Sequence, residues 1–245
     1  MKKNIFKISI FLFTVVAFCS CKKDSGPCFE SVGSSSSETR VLPSFNQISL
    51  YDDINLFIAI GLQQVQIQGG QNLIKSISTD VSNQVLTIKN NNTCDWLRSY
   101  KKSVINVYVT VPSLAYVTAY GYGTIQSIDT INIDSFQVET KSASDVQLTI
   151  HSKFMAAHLF GSGNLTLTGI CSQFNCNFYS GSGFVYCNEL ITGYVFLSSS
   201  TTGDSYIYTN GGLSALLYND GNLYYSGNPT SISCQTYGKG QLIKE

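Results

Sequence analysis

Two histidines, scattered carboxylates and eight cysteines are the residues of this chain best suited to chemistry. His151 and His158 flank the strand-like stretch Phe154-Met-Ala-Ala. An odd separation puts them on opposite sides of a continuous strand, which speaks against a shared metal or a proton relay. The acids within the repeats, ahead of the C-terminal Glu245 (Asp129, Asp134, Glu139, Asp145, Glu189, Asp204, Asp220), stand singly. Glycoside hydrolysis needs two carboxyls about 5–9.5 Å apart. Folding could bring together a pair such as Asp204 and Asp220, and nothing in their spacing selects one. Polysaccharide lyases need a base, often Arg or Lys, beside acids that hold Ca²⁺, and no arginine follows Arg98. Asp52-Asp53 is the one acidic doublet and reads as a solvated turn. Ser198-Ser199-Ser200 has no placed base and also reads as a turn. The recurring Gly-x-Gly triplets would cradle a phosphate only ahead of a helix N-terminus, and no helical period follows them. These residues therefore predict no catalytic group, no cofactor and no metal site, with a carbohydrate-active enzyme as the competing reading.

The N-terminus gives an address. Lys2, Lys3 and Lys7 precede the apolar run Ile8 to Phe18, which is too short for a mature membrane span. The sequence Phe18-Cys19-Ser20-Cys21-Lys22-Lys23 resembles a bacterial lipoprotein signal, with residues 1–20 removed and Cys21 lipidated. An exported lipoprotein of the outer membrane, on its periplasmic or surface face, is the expected localisation. Residues 21–39, with Gly33-Ser34-Ser35-Ser36-Ser37, read as a flexible tether. Cleavage removes three lysines and leaves 12 basic against 15 acidic residues, a net charge of −3. From Gly121 onward four lysines face eight acids. Backbone-phosphate binding needs clustered Lys and Arg, so nucleic acid is disfavoured as a partner, and an anionic lipid surface likewise.

With Cys19 removed and Cys21 reserved for lipid, six cysteines remain. Cys28 lies in the tether and Cys94 in the polar loop Asn90-Asn-Asn-Thr-Cys94-Asp-Trp-Leu-Arg98. Neither has alternating apolar neighbours, and of fifteen connectivities Cys28–Cys94 is the favoured disulfide. A 20-residue offset sets Cys187 under Leu167 and Cys176 under Phe196, with Cys234 on the side of Cys176. These read as inward, core thiols and not as a metal set. Cys171 falls out of step and has no assignment.

What would position all of these is a repeat. Gly121-Tyr-Gly123, Ser142-Ala-Ser144, Gly161-Ser-Gly163, Gly181-Ser-Gly183, Thr201-Thr-Gly203, Asn219-Asp-Gly221 and Gly238-Lys-Gly240 have third positions 21, 19, 20, 20, 18 and 19 residues apart. An apolar residue usually follows two positions later, as at Ile125, Val146, Leu165, Val185, Leu223 and Leu242. The stretches Leu165-Thr-Leu167-Thr and Phe174-Asn-Cys176-Asn-Phe178 alternate with period two, which is strand patterning with one buried face. Strands and corners returning every 20 residues or so predict an all-β fold, a right-handed parallel β-helix whose coils stack only on their neighbours. The corner glycines are expected to allow positive φ and close approach of coils, and Ser142-Ala-Ser144 predicts a wider turn. Aromatics recur three places before the third motif residue at Tyr120, Phe160, Tyr218 and Tyr237. They read either as a stacked structural ladder or as an exposed strip for sugar rings or a partner.

Residues 40–119 carry further strand patterns, among them Ile54-Asn-Leu56-Phe-Ile58 and Ile105-Asn-Val107-Tyr-Val109, with a turn at Asn83-Gln84. They predict a strand-rich N-terminal cap continuous with repeats at 120–245, closing an end that would otherwise expose strand edges. In this order and spacing, Arg40-Val-Leu-Pro-Ser-Phe45-Asn-Gln-Ile48, Val65-Gln-Ile67, Asn106-Val-Tyr-Val-Thr-Val111-Pro-Ser-Leu114, the serial Gly-Ser-Gly corners and Tyr225-Ser-Gly227-Asn-Pro229 through Gly240 carry a family likeness. The chain resembles the putative auto-transporter adhesin head GIN domain family of Bacteroidetes-type lipoproteins over about Arg40 to Ile243. Cys28-Phe29 and Cys94-Asp-Trp96-Leu-Arg98-Ser-Tyr100 match the members that look most similar, which supports the Cys28–Cys94 pairing. The resemblance implies a β-helical envelope lipoprotein. The expected function is non-catalytic binding of a glycan or protein partner, with an enzyme or a purely structural envelope component as alternatives. No residue is singled out as ligand-binding.

Overall fold

A computed structural model describes residues 31–93 and 104–245, so the signal segment 1–20, Cys21, Cys28 and Cys94 lie outside the described residues. Strands β1 (Ser35–Arg40), β2 (Gln47–Leu50), β3 (Ile54–Ile60) and β4 (Gln64–Gly70) come first. The single helical turn α1 (Gln71–Ile74) follows, then β5 (Ile77–Ser82), β6 (Val85–Asn90), β7 (Ile105–Val111), β8 (Tyr116–Ala119) and β9 (Thr124–Ser127). The remaining strands are β10 (Ile131–Asn132), β11 (Ser135–Thr140), β12 (Asp145–Gly161), β13 (Leu165–Gly181), β14 (Val185–Thr201), β15 (Ser205–Leu217), β16 (Leu223–Ser226), β17 (Ser231–Thr236) and β18 (Leu242–Lys244). All eighteen belong to one sheet that winds into a parallel β-solenoid of about six turns.

The period-two patterning sets which face is buried. Leu165, Leu167, Phe174, Cys176 and Phe178 point inward from β13, while Thr166, Thr168, Asn175 and Asn177 point out. Parallel pairing repeats this from coil to coil, with Val146 beside Leu165 and Leu165 beside Val185. The β13–β14 register departs locally from its 20-residue offset. A bulge between Thr166 and Thr168 puts Thr168 beside Glu189, and a second after Phe178 restores Gly181 to Thr201. Because side chains alternate, a one-residue slip exchanges the two faces. Cys176 therefore lies beside Leu197, and Phe196 faces outward, 46% exposed, instead of covering Cys176.

The corner triplets work mainly through close approach. Positive φ occurs at Gly161 (+89°) and Gly181 (+128°), whereas the third-position glycines have none. Those glycines lack a side chain because a Cβ would strike the carbonyl of the previous coil: Ser144 above Gly163, Gly163 above Gly183, Gly183 above Gly203. At Gly183 it would also come within 2.6 Å of Phe178 Cζ. Gly183→Ala is expected to cost about 3 kcal/mol, read as a lowered midpoint in urea unfolding. The Ser142-Ala-Ser144 corner is no wider than the others. Ser144 is buried and its hydroxyl donates to the Gly121 carbonyl at 2.8 Å. The 21-residue spacing comes instead from a bend at residues 128–130, since Val146 and Ile150 pair with Ile125 and Ile131.

A second column of short polar residues joins the coils beside these corners. Asn55 Oδ1 accepts from Thr124 N, Asp145 from Asn164 N, Asn164 from Phe184 N, Asp204 from Asn222 N and Asn222 from Gln241 N, at 2.7–3.1 Å. Asp145 and Asp204 thus satisfy backbone donors.

The cap is woven into the solenoid. β2 lies between β6 and β8, and β3 between β7 and β9, all parallel. The first coil in sequence is therefore second in space. The outer coil is edged by antiparallel strands: β5 on β6, through a tight turn with Asn83 and Gln84 at φ 50° and 63°, and β4 on β7. β1 then pairs with β4, so residues 35–39, read as tether, form a strand instead. Even Val32 and Ser34 accept backbone hydrogen bonds from Asn72 and Gln71. The division at 119/120 falls inside a coil, because β8 and β9 both stack on the neighbouring repeat.

Candidate functional site

Parallel strands in register hold like positions about 4.8 Å apart, close to the preferred separation of stacked rings. One corner of the solenoid uses this from end to end. Lys89 Nζ sits 4.8 Å above the Tyr51 ring, and Tyr51 stacks on Tyr120 with centroids 4.5 Å apart. Lys141 occupies the next coil and places its Nζ 4.9 Å from the Phe160 centroid. Phe160 stacks on Tyr179 at 4.5 Å, Ser200 follows, and Tyr218 stacks on Tyr237 at 4.9 Å. Interplanar angles are 7–17°. The four aromatics of the repeat motif all lie on this column. Tyr51 and Tyr179 escape the motif, Tyr51 because it belongs to the cap and Tyr179 because the bulge after Phe178 moves it one place. Tyr120, Tyr179, Tyr218 and Tyr237 are exposed. The column is thus both a structural stack and a solvent-facing strip.

Beside it, Glu139, His158, Asn177 and Ser198 stand one above another on successive coils. Tyr116 donates its phenol proton to Glu139 Oε2, and Glu139 forms an ion pair with Lys141. Burial, followed by the bond to Glu139, pushes the Tyr116 phenol up to about 12. Burial raises the Glu139 carboxyl, but the hydrogen bonds from Lys141 and Tyr116 outweigh it and hold it below the usual carboxylate range. At neutral pH Glu139 is therefore a carboxylate and Tyr116 a neutral donor, the reverse of a carboxyl tuned as a general acid. Tyr179 Oη and Asn177 Nδ2 each lie 3.4 Å from His158 Nδ1.

A second outward column begins with Tyr108 and Phe57, stacked at 4.8 Å. It passes through Gln126, whose Nε2 donates to Gln147 Oε1, and Thr166, then through Tyr186, Tyr206 and Tyr224 to Ile243. Tyr186, Tyr206 and Tyr224 lie outside the aromatic motif of the repeat. Their common signal was a position three beyond the corner triplet.

The other residues weighed for chemistry are dispersed. His151 is exposed beside Asn132, Asp134, Lys153 and Ile170 around a shallow 490 Å³ cavity, away from His158. Asp134 pairs with Lys153 at 3.0 Å. Asp220 lies 4.0 Å from Lys239, whereas Asp204 belongs to the backbone column, so the two acids do not form a unit. Asp52 accepts from Asn90 N in an exposed bend next to Asp53. Ser198–Ser200 form strand and not turn, with Ser199 buried inward. Among the described residues, no three of His, Cys, Asp and Glu gather as a metal set. Cys176 and Cys187 are buried inward, and Cys234 lies on the Cys176 column, through Leu197 and Ala215, on the last coil. Cys171 is explained by its neighbours: Ser152, Thr192 and Thr209 occupy its position on adjacent coils, and its Sγ receives the Ser152 hydroxyl at 3.3 Å. It is a thiol in a column of buried hydroxyls. No described helix is long and apolar enough to cross a membrane.

Comparison with known proteins agrees with this architecture. The family described as "Putative auto-transporter adhesin, head GIN domain" matches residues 44–229. No curated protein matches the chain. Among solved structures, one described as a putative adhesin from Bacteroides fragilis superposes with a TM-score of 0.78 at 19% identity, covering 86% of this chain and 97% of the other. A structure described as a putative lipid binding protein from Parabacteroides distasonis gives 0.65 at 15% identity, covering 87% and 97%. A putative adhesin from the same species gives 0.62 at 18%, covering 87% and 98%. At these identities the likeness is one of fold.

Proposed function

This chain belongs to the putative auto-transporter adhesin, head GIN domain, family, and we propose that it is a non-catalytic envelope lipoprotein whose solenoid binds a glycan along its aromatic corner. The exposed ladder from Tyr51 to Tyr237 carries this reading, because it repeats phenol edges at the coil spacing along one face. Tyrosine supplies apolar area and a hydroxyl together, which suits a polyhydroxylated ligand. The non-catalytic part is supported by how the acids are used: Asp145 and Asp204 hold backbone, and Glu139 is fixed by Tyr116 and Lys141. Lipidation at Cys21 and a tether from residue 21 to about residue 30 would hold the solenoid at the outer membrane.

The Cys28–Cys94 disulfide belongs to the same proposal. Described neighbours of both cysteines meet at α1: Asn72 Nδ2 donates to Ser31 O, and Asn92 Nδ2 donates to Leu73 O. Cys28 is three residues from Ser31 and Cys94 two from Asn92, spans of at most about 10 and 7 Å.

A glycan array, with extracellular-matrix proteins alongside, should be probed with the chain from Lys22, together with reducing-end assays on the same polysaccharides. Retention of one or more polysaccharides, weakened by Tyr218→Ala, is the expected result. Release of reducing ends above a heat-treated control would overturn the non-catalytic reading, and capture of matrix proteins alone would overturn the glycan.

A further inference from the structure

The aromatic column explains its own limits as a binding surface. Within each stacked pair the two facing sides cover each other, so between stacked rungs only ring edges reach solvent. A ring face inside the column is free only where a rung is missing, and the column has two interruptions. At Lys141 the side chain reaches along the column to the next coil and covers the Phe160 ring, closing the first. The second is at Ser200, whose side chain is too short to do the same.

The register defines that second gap. Ser199 pairs with Phe178 on one side and Leu217 on the other, so Ser200 stands between Tyr179 and Tyr218. Tyr179 packs against Phe160 and His158, both on the preceding coil, and Tyr218 packs against Tyr237 on the following one. The ring faces that look toward Ser200 therefore oppose each other across two coil steps, about 9.5 Å. A ring held between them by contacts of about 3.5–4.0 Å on each side needs about 7–8 Å. The remainder accommodates the pucker and axial hydrogens of a saturated ring.

We propose that this gap is a subsite for one neutral pyranose ring, sandwiched between Tyr179 and Tyr218 over Ser200. The inference rests on the glycan reading above and names the place where a sugar face is gripped. The floor favours a sugar over an aromatic side chain. Ser198 and Ser200 direct hydroxyls outward there, Asn177 lies on the adjoining coil, and Asn219 bonds to the Ser200 carbonyl at 3.3 Å. A pyranose presents apolar C–H faces to the two rings and equatorial hydroxyls to that floor, whereas a phenyl ring would bury the floor without partners. Neutrality follows from the charges nearby: Lys141 is committed to Glu139 and to the Phe160 face.

Filling the gap is the direct test. Ser200→Tyr supplies the missing rung, so its melting temperature should equal or exceed that of the parent. Saturation-transfer NMR with methyl glucoside, methyl galactoside and methyl mannoside should show transfer to ring protons of at least one pyranoside in the parent. That transfer should be lost in Ser200→Tyr, an affinity loss of about tenfold or more. Tyr218→Leu, which keeps an apolar rung without a flat face, should lose it as well, and Tyr206→Ala, on the second outward column, should not. Transfer that survives in Ser200→Tyr, or no transfer in the parent, overturns the subsite. If the parent and Ser200→Tyr retain the same polysaccharide on the array, the subsite falls and the glycan reading stands. If the parent retains no polysaccharide, both fall.

Discussion

Truncating Leu56 to alanine is expected to cost about 3–4 kcal/mol and to loosen the whole chain, whereas Leu223→Ala should cost about 2 kcal/mol and loosen only the last coils. The two leucines are chemically matched, and neither has any exposed surface. They differ in what their coils connect. Leu223 starts β16, which packs between β15 and the terminal β18. Opening that layer removes little beyond it, as expected of a solenoid whose stability is a sum of nearest-neighbour interfaces. Leu56 lies in β3, with Val107 of the outer coil on one side and Ile125 of the repeats on the other. The chain enters this middle layer first, leaves to build the outer coil, and returns past Leu114 to the far side. A defect at Leu56 therefore separates the cap from the repeats and exposes a core surface on each. Hydrogen exchange on the two variants decides the matter. Leu56→Ala should deprotect β6–β9 together with β2–β3, and Leu223→Ala only β15–β18. Deprotection confined to β2–β3 in Leu56→Ala would show that the interleaved cap adds no cooperativity.

The interleaving was the part of the fold least legible in the sequence, and the reason is physical. Local alternation in Ile54-Asn-Leu56-Phe-Ile58 and Ile105-Asn-Val107-Tyr-Val109 marks strands and their buried faces, but pairing order depends on contacts 51 residues apart. Coil stacking in the repeats was legible because the interface recurs at a fixed offset and the third-position glycine marks where two backbones touch. That logic failed where one residue was added. The bulge opposite Cys187 to Glu189 turned Phe196 outward, and the bulge after Phe178 moved Tyr179 onto the ladder. The candidate site was half visible for the same reason: Tyr120, Phe160, Tyr218 and Tyr237 keep step with the motif, while Tyr51, Tyr179 and the vacancy at Ser200 emerge only when the register is known. Glu139 stood among the scattered acids, and its cluster depends on Tyr116, one coil away and 23 residues earlier.

Alkylating the unfolded, unreduced chain from Lys22 should modify four cysteines, and six only after reduction. Breaking the proposed Cys28–Cys94 bond should lower stability by about 2–4 kcal/mol, since it would close a loop of 65 residues. The loop contains β1–β6, which includes the middle layer just described, so the proposed crosslink would restrain the segment whose misplacement is most damaging. Native-state reactivity separates the remaining thiols. Burial pushes Cys176 up to about 12 and Cys187 well above its ordinary value, so neither should react near pH 8 while the fold holds. Cys171 is also buried, and its thiol is raised chiefly by burial. Cys234, half-buried on the terminal coil, should be the first of the four to be labelled. Cys28→Ser, Cys94→Ser and the double variant should show the same loss, because each removes the same bond. Six cysteines modified without reductant would refute the pairing, and unequal losses among the three variants would assign the effect to something other than the crosslink.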